Sequence, residues 1–328
     1  REEDRIAIVV YAGAARVVLK STSGDQKDEI KRVLNRLSAG GSTAGGAGIQ
    51  LAYKIAEKNF IKGGNNRILL ATDGDFNLGT SSQEALVKLI EEKREGGVFL
   101  SVLGFGNGNL LDYKMEQIAD KGNGNYSYID NILEAKKVLI SEMGGTLFTI
   151  AKDVKVQAEF NPAKVKAYRL IGYVNRALAA EDFNDDKKDA GELGAGHVVT
   201  VLYEIVPMGS EEKIKDIDKL KYQKEKAIDS LSDELLTVKF RYKKPNGNKS
   251  ILLTKIMKDE EVELEQASHN LQFSAAVASF GMKLRGSEST KDMSFSDILG
   301  IAKMSKGLDE NGYRAEFLKL VETAELIR

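Results

Sequence analysis

The hydrophobic positions follow two different periods, and the change between them divides the chain. Residues 6–12 (IAIVVYA) and 16–19 (RVVL) are short β-rich runs joined through Gly13-Ala14-Ala15, a link that favours an antiparallel hairpin. Ile30, Val33, Leu34 and Leu37 then recur at helical spacing within residues 25–38. A glycine-rich turn at 39–43 leads into a second helix carrying Ile49, Tyr53 and Ile55. Residues 67–73 (RILLATD) form an apolar run ending in an acid, the pattern of a buried parallel strand. A helix at 82–95, a strand at 98–104, a helix at 110–120, a short strand at 125–129 and a helix at 131–143 complete the series. This β-α-β alternation predicts an α/β fold: a doubly wound, mostly parallel sheet with helices on both faces.

After Gly144-Gly145 the helical alternation stops. Val154, Val156, Ala158 and Phe160 alternate with Lys155, Gln157 and Glu159, the period of a strand with one wet face. Residues 197–206 give another strand, and runs at 236–243 and 250–256 flank a turn at Pro245 to Gly247. The stretch 211–234 holds 14 charged residues in 24 and reads as a solvated helix or loop insertion. Two helical stripes follow, Phe273-Val277-Phe280-Leu284 and Tyr313-Phe317-Val321-Ala324, each read as core. The pattern therefore predicts two domains: 1–145 with the parallel sheet, and 146–328, a β-rich, sandwich-like layer with terminal helices.

Composition narrows the chemistry. A length of 328 residues suits roughly two domains at about 150 residues each. Lys+Arg 48 against Asp+Glu 49 leaves no basic footprint for nucleic acid. There is no cysteine, hence no disulfide, thiolate nucleophile or Cys-ligated metal, and two histidines, His197 and His269, lie far apart. No apolar run approaches the about 20 residues of a membrane span, so no transmembrane segment is expected in this chain. The chain opens on Arg1 with a strand pattern beginning almost at once, and we expect it to be a fragment of a longer protein.

Ligands of an open parallel sheet collect outside the carboxyl ends of its strands. Asp73 ends the apolar strand within Thr72-Asp73-Gly74-Asp75, and Thr43 lies in the loop GGSTAGG just before a helix. A hydroxyl and a carboxylate converging there are hard oxygen ligands suited to Mg²⁺, Mn²⁺ or Ca²⁺. The alternative is that Thr43 caps its helix and Asp73-Gly74 makes a turn. Asp182, Asn184, Asp185, Asp186 and Asp189 form an oxygen-rich cluster, but the EF-hand glycine and terminal glutamate are missing. A solvated loop with Lys187 and Lys188 as counter-charges is the favoured reading there. Gly104, Gly106 and Gly108 follow a strand, yet Asn109 stands where a dinucleotide loop requires glycine.

The hairpin RIAIVVYAGAA, the loop GGSTAGGAGIQLAY, the strand end ILLATDGDFN and the stretch VFLSVLGFGNGN resemble, in this order, a bacterial von Willebrand factor A-type (VWA) domain over residues 1–145. The second half, including FNPAKVKAYRLIGYVNRAL, is similar to the C-terminal domain attached to VWA in YfbK-like bacterial envelope proteins. The resemblance implies a Rossmann-like sheet whose central first strand and first helix would lie upstream of Arg1. It also implies a metal-ion-dependent adhesion site (MIDAS), built from an Asp-x-Ser-x-Ser segment, a loop threonine and a late Asp-Gly. Thr43 matches the loop threonine and Asp73 the late aspartate, while the Asp-x-Ser-x-Ser segment has no counterpart here. Mg or Mn binding by this chain alone is therefore expected to be weak or absent, since Mg²⁺ demands near-octahedral geometry.

By the same resemblance the expected function is metal-dependent protein binding or scaffolding at the bacterial cell envelope, periplasmic or membrane-anchored. An acidic side chain of a protein partner would complete the site. No catalytic residue is assigned. The best enzyme alternative is a metal-dependent phosphatase using Asp73 and Asp75, although Asn77 stands where that pattern expects Thr or Val. A metal-free structural scaffold is the third reading.

Overall fold

The structure, a computed structural model, describes residues 1–38, 40, 44–73, 83–106, 111–147, 149–172, 178–188, 190–212, 233–245, 247–260 and 262–327. It divides into two units: residues 1–155, 186–197 and 241–251 form the first, and residues 156–185, 198–240 and 252–328 the second.

In the first unit β1 (Arg5–Val10) and β2 (Arg16–Ser23) pair antiparallel, the expected hairpin. The helix read at 25–38 is the shorter α1 (Lys27–Leu34), and α2 (Gly45–Lys58) buries Ile49 and Tyr53. Next come β3 (Asn66–Thr72), α3 (Gln83–Glu95), β4 (Val98–Phe105), α4 (Asp112–Lys121) and β5 (Tyr126–Ile129). The three strands form a parallel sheet in the order β3-β4-β5. Alternate residues of a strand serve opposite faces. Val98, Leu100 and Val102 accordingly join Ile49, Tyr53, Ile90, Met115 and Ile118 in one core. Leu103 packs with Ile129 and Val138 on the other face. Helical segments thus cover both faces of the sheet, although Leu69 of β3 remains 45% exposed.

The single helix expected at 131–143 is broken. α5 (Ile132–Lys136) runs into a π-turn at Lys137–Ser141, and α6 (Met143–Leu147) follows. Asn131 caps α5 by accepting from the Leu133 and Glu134 amides. The Glu142 amide donates to the Lys137 carbonyl at 2.8 Å, a reach of five residues that inserts one extra residue into the turn. A 3.6-residue period carries no signal for that insertion.

The β-rich part holds β6 (Thr149–Phe160), β7 (Val165–Ile171), β8 (Gly191–Gly194), β9 (Leu202–Pro207), β10 (Glu234–Lys243) and β11 (Ser250–Lys258). One sheet has the order β11-β10-β6-β8, and β7 pairs antiparallel with β9. The strand read at 197–206 begins only at Leu202, so His197 precedes it rather than opening it.

The alternation expected in β6 fails at Lys155, which is 2% exposed, while Val156 is 44% exposed. Asp153 adopts φ 51°, and the ladder with β8 slips by one residue between Ala151 and Val154. The slip marks a one-residue bulge in β6 opposite β8.

In the second unit the rings of Phe160, Tyr168 and Tyr203 cluster, Phe160 lying 4.4 Å from Tyr168 and 5.3 Å from Tyr203. The terminal helices are α7 (His269–Leu284), α8 (Phe295–Met304) and α9 (Tyr313–Ile327). Their core gathers Ala276, Ile298, Leu299, Ala302 and Val321 with Phe273, Phe280 and Phe317. Phe273 and Phe280 belong to the packed face as expected, but Val277 and Leu284 are exposed, because Ala276 takes the inward position. No helix among the described residues is long and apolar enough to cross a membrane. Residues 213–232 of the charged stretch lie outside the described residues.

Candidate functional site

The parallel register sets what meets at the carboxyl edge of the sheet. Thr72 stands beside Gly104, and Gly104 beside Tyr128. Asp73 therefore leaves the end of β3 next to Gly106 beyond the end of β4, and it is exposed. Gly106 has φ +88°, a backbone shape that favours glycine, and a Cβ built on it would lie 3.8 Å from the Asp73 Cβ. Tyr128 Oη donates to the Gly106 carbonyl at 2.9 Å.

Tyr11, just past β1, joins this edge to α2. Its hydroxyl donates to the Ala71 carbonyl, and its own carbonyl accepts from the Ala44 amide at 2.9 Å, one residue before α2 begins. Gly48 makes that approach possible: a Cβ there would sit 2.6 Å from the Tyr11 Cβ. Burial raises the Tyr11 phenol above its ordinary range, a hydrogen bond with Thr72 opposes the rise, and the negative charge of Asp73 adds to it. Tyr126 Oη bonds the Asp112 carboxylate at the start of α4, and burial together with that partner raises its phenol too. Tyr11→Phe should cost about 1 kcal/mol, the worth of one hydrogen bond, read in a denaturant melt.

Of the residues picked out in the sequence, Asp73 is placed at this edge, whereas Thr43 and Asp75 lie outside the described residues. Residues 107–110, which include Gly108 and Asn109 of the glycine-rich turn, lie outside as well. Among the described residues no three of His, Asp and Glu gather closely enough to hold a metal ion. The fit to Mg or Mn thus rests, within the described residues, on the single hard oxygen donor of Asp73.

Residues 184–188 of the acidic segment are exposed, in line with a solvated loop, and a lysine from β10 anchors it as well. Lys243 Nζ donates to the Asp153 carboxylate at 2.6 Å and to the Asp186 carbonyl, so a lysine from β10 supplies a counter-charge inside the fold. Bonds from Ser250 hold the Asp186 carboxyl below the usual range, with the charges of Lys243 and Arg241 adding to them. Asp189 lies outside the described residues. Separation along the chain hid the Lys243 contact from a local reading.

Arg67, at the opposite end of β3, was equally illegible. Its guanidinium bonds Ser101 Oγ at 2.7 Å and lies 5.5 Å from the centre of the Phe99 ring. Burial pushes it down to about 10, and Glu192 opposes that drop. It belongs to the interior of the first unit and not to the carboxyl edge.

Comparison with known proteins agrees with this architecture. Residues 1–139 match the model of the von Willebrand factor type A domain, and residues 145–327 match "Uncharacterized protein YfbK, C-terminal". "Uncharacterized protein YfbK" of Escherichia coli (strain K12) is 48% identical over 327 residues, covering 99% of this chain and 56% of that protein. "Uncharacterized protein sll0103" of Synechocystis sp. is 30% identical over 137 residues, covering 41% of this chain and 31% of that protein. The chain therefore spans about half of the first relative and about a third of the second. Among solved structures, a von Willebrand factor type A protein from Catenulispora acidiphila aligns with 98% of this chain and 74% of its own, at 14% identity and a TM-score of 0.46. The parallel sheet with its helices, the β-rich part that follows and the match over residues 145–327 lead to one conclusion: the chain belongs to the YfbK family of proteins that carry a von Willebrand factor type A domain.

Proposed function

We propose that this chain is a protein-binding module that works at the carboxyl edge of its parallel sheet. In this reading Thr43 and Asp73 hold Mg or Mn, and an acidic side chain of the partner is the recognised group. The observation that supports it most is the exposed Asp73, carried on the buried end of β3 beside Tyr11 and Gly106. The von Willebrand factor type A match of residues 1–139 points the same way. A bound dication would supply a partly desolvated positive charge, which suits a carboxylate. Tyr11 positions the strand end by tying Ala71 to the start of α2, and the Gly106 turn leaves room beside the Asp73 side chain. Residence at the bacterial cell envelope is part of the same proposal and rests on the resemblance in sequence.

The test is retention of an envelope-extract protein on the immobilised chain, extended by the upstream Asp-x-Ser-x-Ser segment that the resemblance implies, in Mg²⁺, in EDTA, and with Asp73→Ala. The proposal expects retention in Mg²⁺ and its loss in both other arms. Retention that survives EDTA and Asp73→Ala would sink the metal-dependent reading and favour a metal-free scaffold.

A further inference from the structure

We propose that β11 is a self-association edge, pairing antiparallel with β11 of a second copy of this chain. Among the described residues β11 is the outer strand of its sheet. An outer strand offers unpaired backbone groups, and proteins ordinarily blunt such edges with charge, proline or a cover. Among the described residues neither face is fully covered. Residues 252–258 are all exposed, and Leu252, Leu253, Ile256 and Met257 keep between 46% and 53% of their surface in solvent. Side chains of one strand alternate between faces, so apolar groups are bare on both.

The sequence of the strand selects a second copy as the occupant. A two-fold axis normal to the sheet keeps every residue on the same face in both copies, so only residues of equal parity can stand opposite each other. Centring the axis on Lys255 sets two like charges face to face. Centring it on Thr254 sets Leu252 opposite Ile256, Ile251 opposite Met257 and Lys249 opposite Asp259, each pair formed twice. Lys255 then faces Leu253 and Lys258 faces Ser250, so neither lysine directly opposes a like charge. Asp259 already holds Lys164 of its own chain at 3.2 Å, which fixes a carboxylate at the end of the strand where Lys249 of the other copy arrives. Apolar pairs and two symmetric ion pairs thus follow from one register.

Sedimentation velocity on the whole chain over a concentration series tests this. A concentration-dependent dimer is expected for the wild type. Ile256→Lys should weaken it about tenfold or more by removing two cross-strand apolar pairs, with an unchanged melt because Ile256 is exposed. Lys249→Glu and Asp259→Lys should each weaken the dimer alone. Mixing these two variants should restore it as a heterodimer, since both cross pairs again join opposite charges. A chain monomeric at every concentration, or a dimer indifferent to Ile256→Lys, would overturn the proposal. A mixture that stays monomeric would overturn the Thr254-centred register.

Discussion

Gly124→Ala should destabilise the first unit by about 3 kcal/mol or more, at the upper end of what overpacking costs. A Cβ at that position would lie 1.9 Å from the Leu100 carbonyl oxygen and 2.5 Å from its carbon. Neither atom can rotate away, because both belong to the backbone of β4. The surrounding chain is pinned as well. The Gly124 amide donates to Ala119, the Leu100 amide to Gly122, and the Val102 amide to Asn125, each at 2.9 Å. Relief would have to move β4 through the core that Leu100 and Val102 share with Met115 and Ile118. Gly281 in α7 is the matched control, since a Cβ there meets nothing within 4 Å. Gly281→Ala should be stabilising by about 0.5–1 kcal/mol, as for a glycine replaced within a helix. Urea melts of both variants check the contrast, and equal effects would show that the packing of the 122–125 turn has been misread.

Lys243→Met should cost about 3–5 kcal/mol, the range for breaking a buried ion pair by removing one partner. The Lys243 and Asp153 side chains are only 9% and 17% exposed, so solvent does little to screen them. Loss of the ammonium leaves the Asp153 carboxylate without its 2.6 Å partner at a bulge with φ 51°. It also removes the donor to the Asp186 carbonyl. Adding Asp153→Asn should recover most of the loss, because the stranded charge is then gone. Chemical denaturation of the single and double variants decides the matter. A double variant no more stable than Lys243→Met would mean that the Asp186 contact, rather than the ion pair, carries the effect.

The parts of the fold legible in the sequence are those written in local periods. The run ending at Thr72 and Asp73 located β3 and its carboxyl end, and glycine-rich turns marked the flanks of α2. The illegible parts depend on contacts between distant segments or on single inserted residues. The π-turn at Lys137–Ser141 and the bulge at Asp153 each add one residue, which shifts every later position without changing composition. β8 is four residues with two glycines, too short for an alternation to register. At the candidate site Asp73 stood out because an acid ending a buried strand is a local signal. Tyr11 did not, since its role comes from bonds to Ala71 and Ala44, which lie far along the chain. A tyrosine ending a strand next to glycine and alanine carries no mark of that use.

The most direct test is a thermal-shift titration with Mg²⁺ and Mn²⁺ of this chain extended by the upstream Asp-x-Ser-x-Ser segment that the family resemblance implies, with Asp73→Ala in the same extended chain alongside. A ligand that binds only the folded state stabilises by RT ln(1 + [L]/Kd), about 2.7 kcal/mol at 100 times Kd. The account predicts a saturable rise in melting temperature for the wild type that is abolished in Asp73→Ala. No rise in the wild type, or an equal rise in both proteins, would contradict a cation held by Asp73.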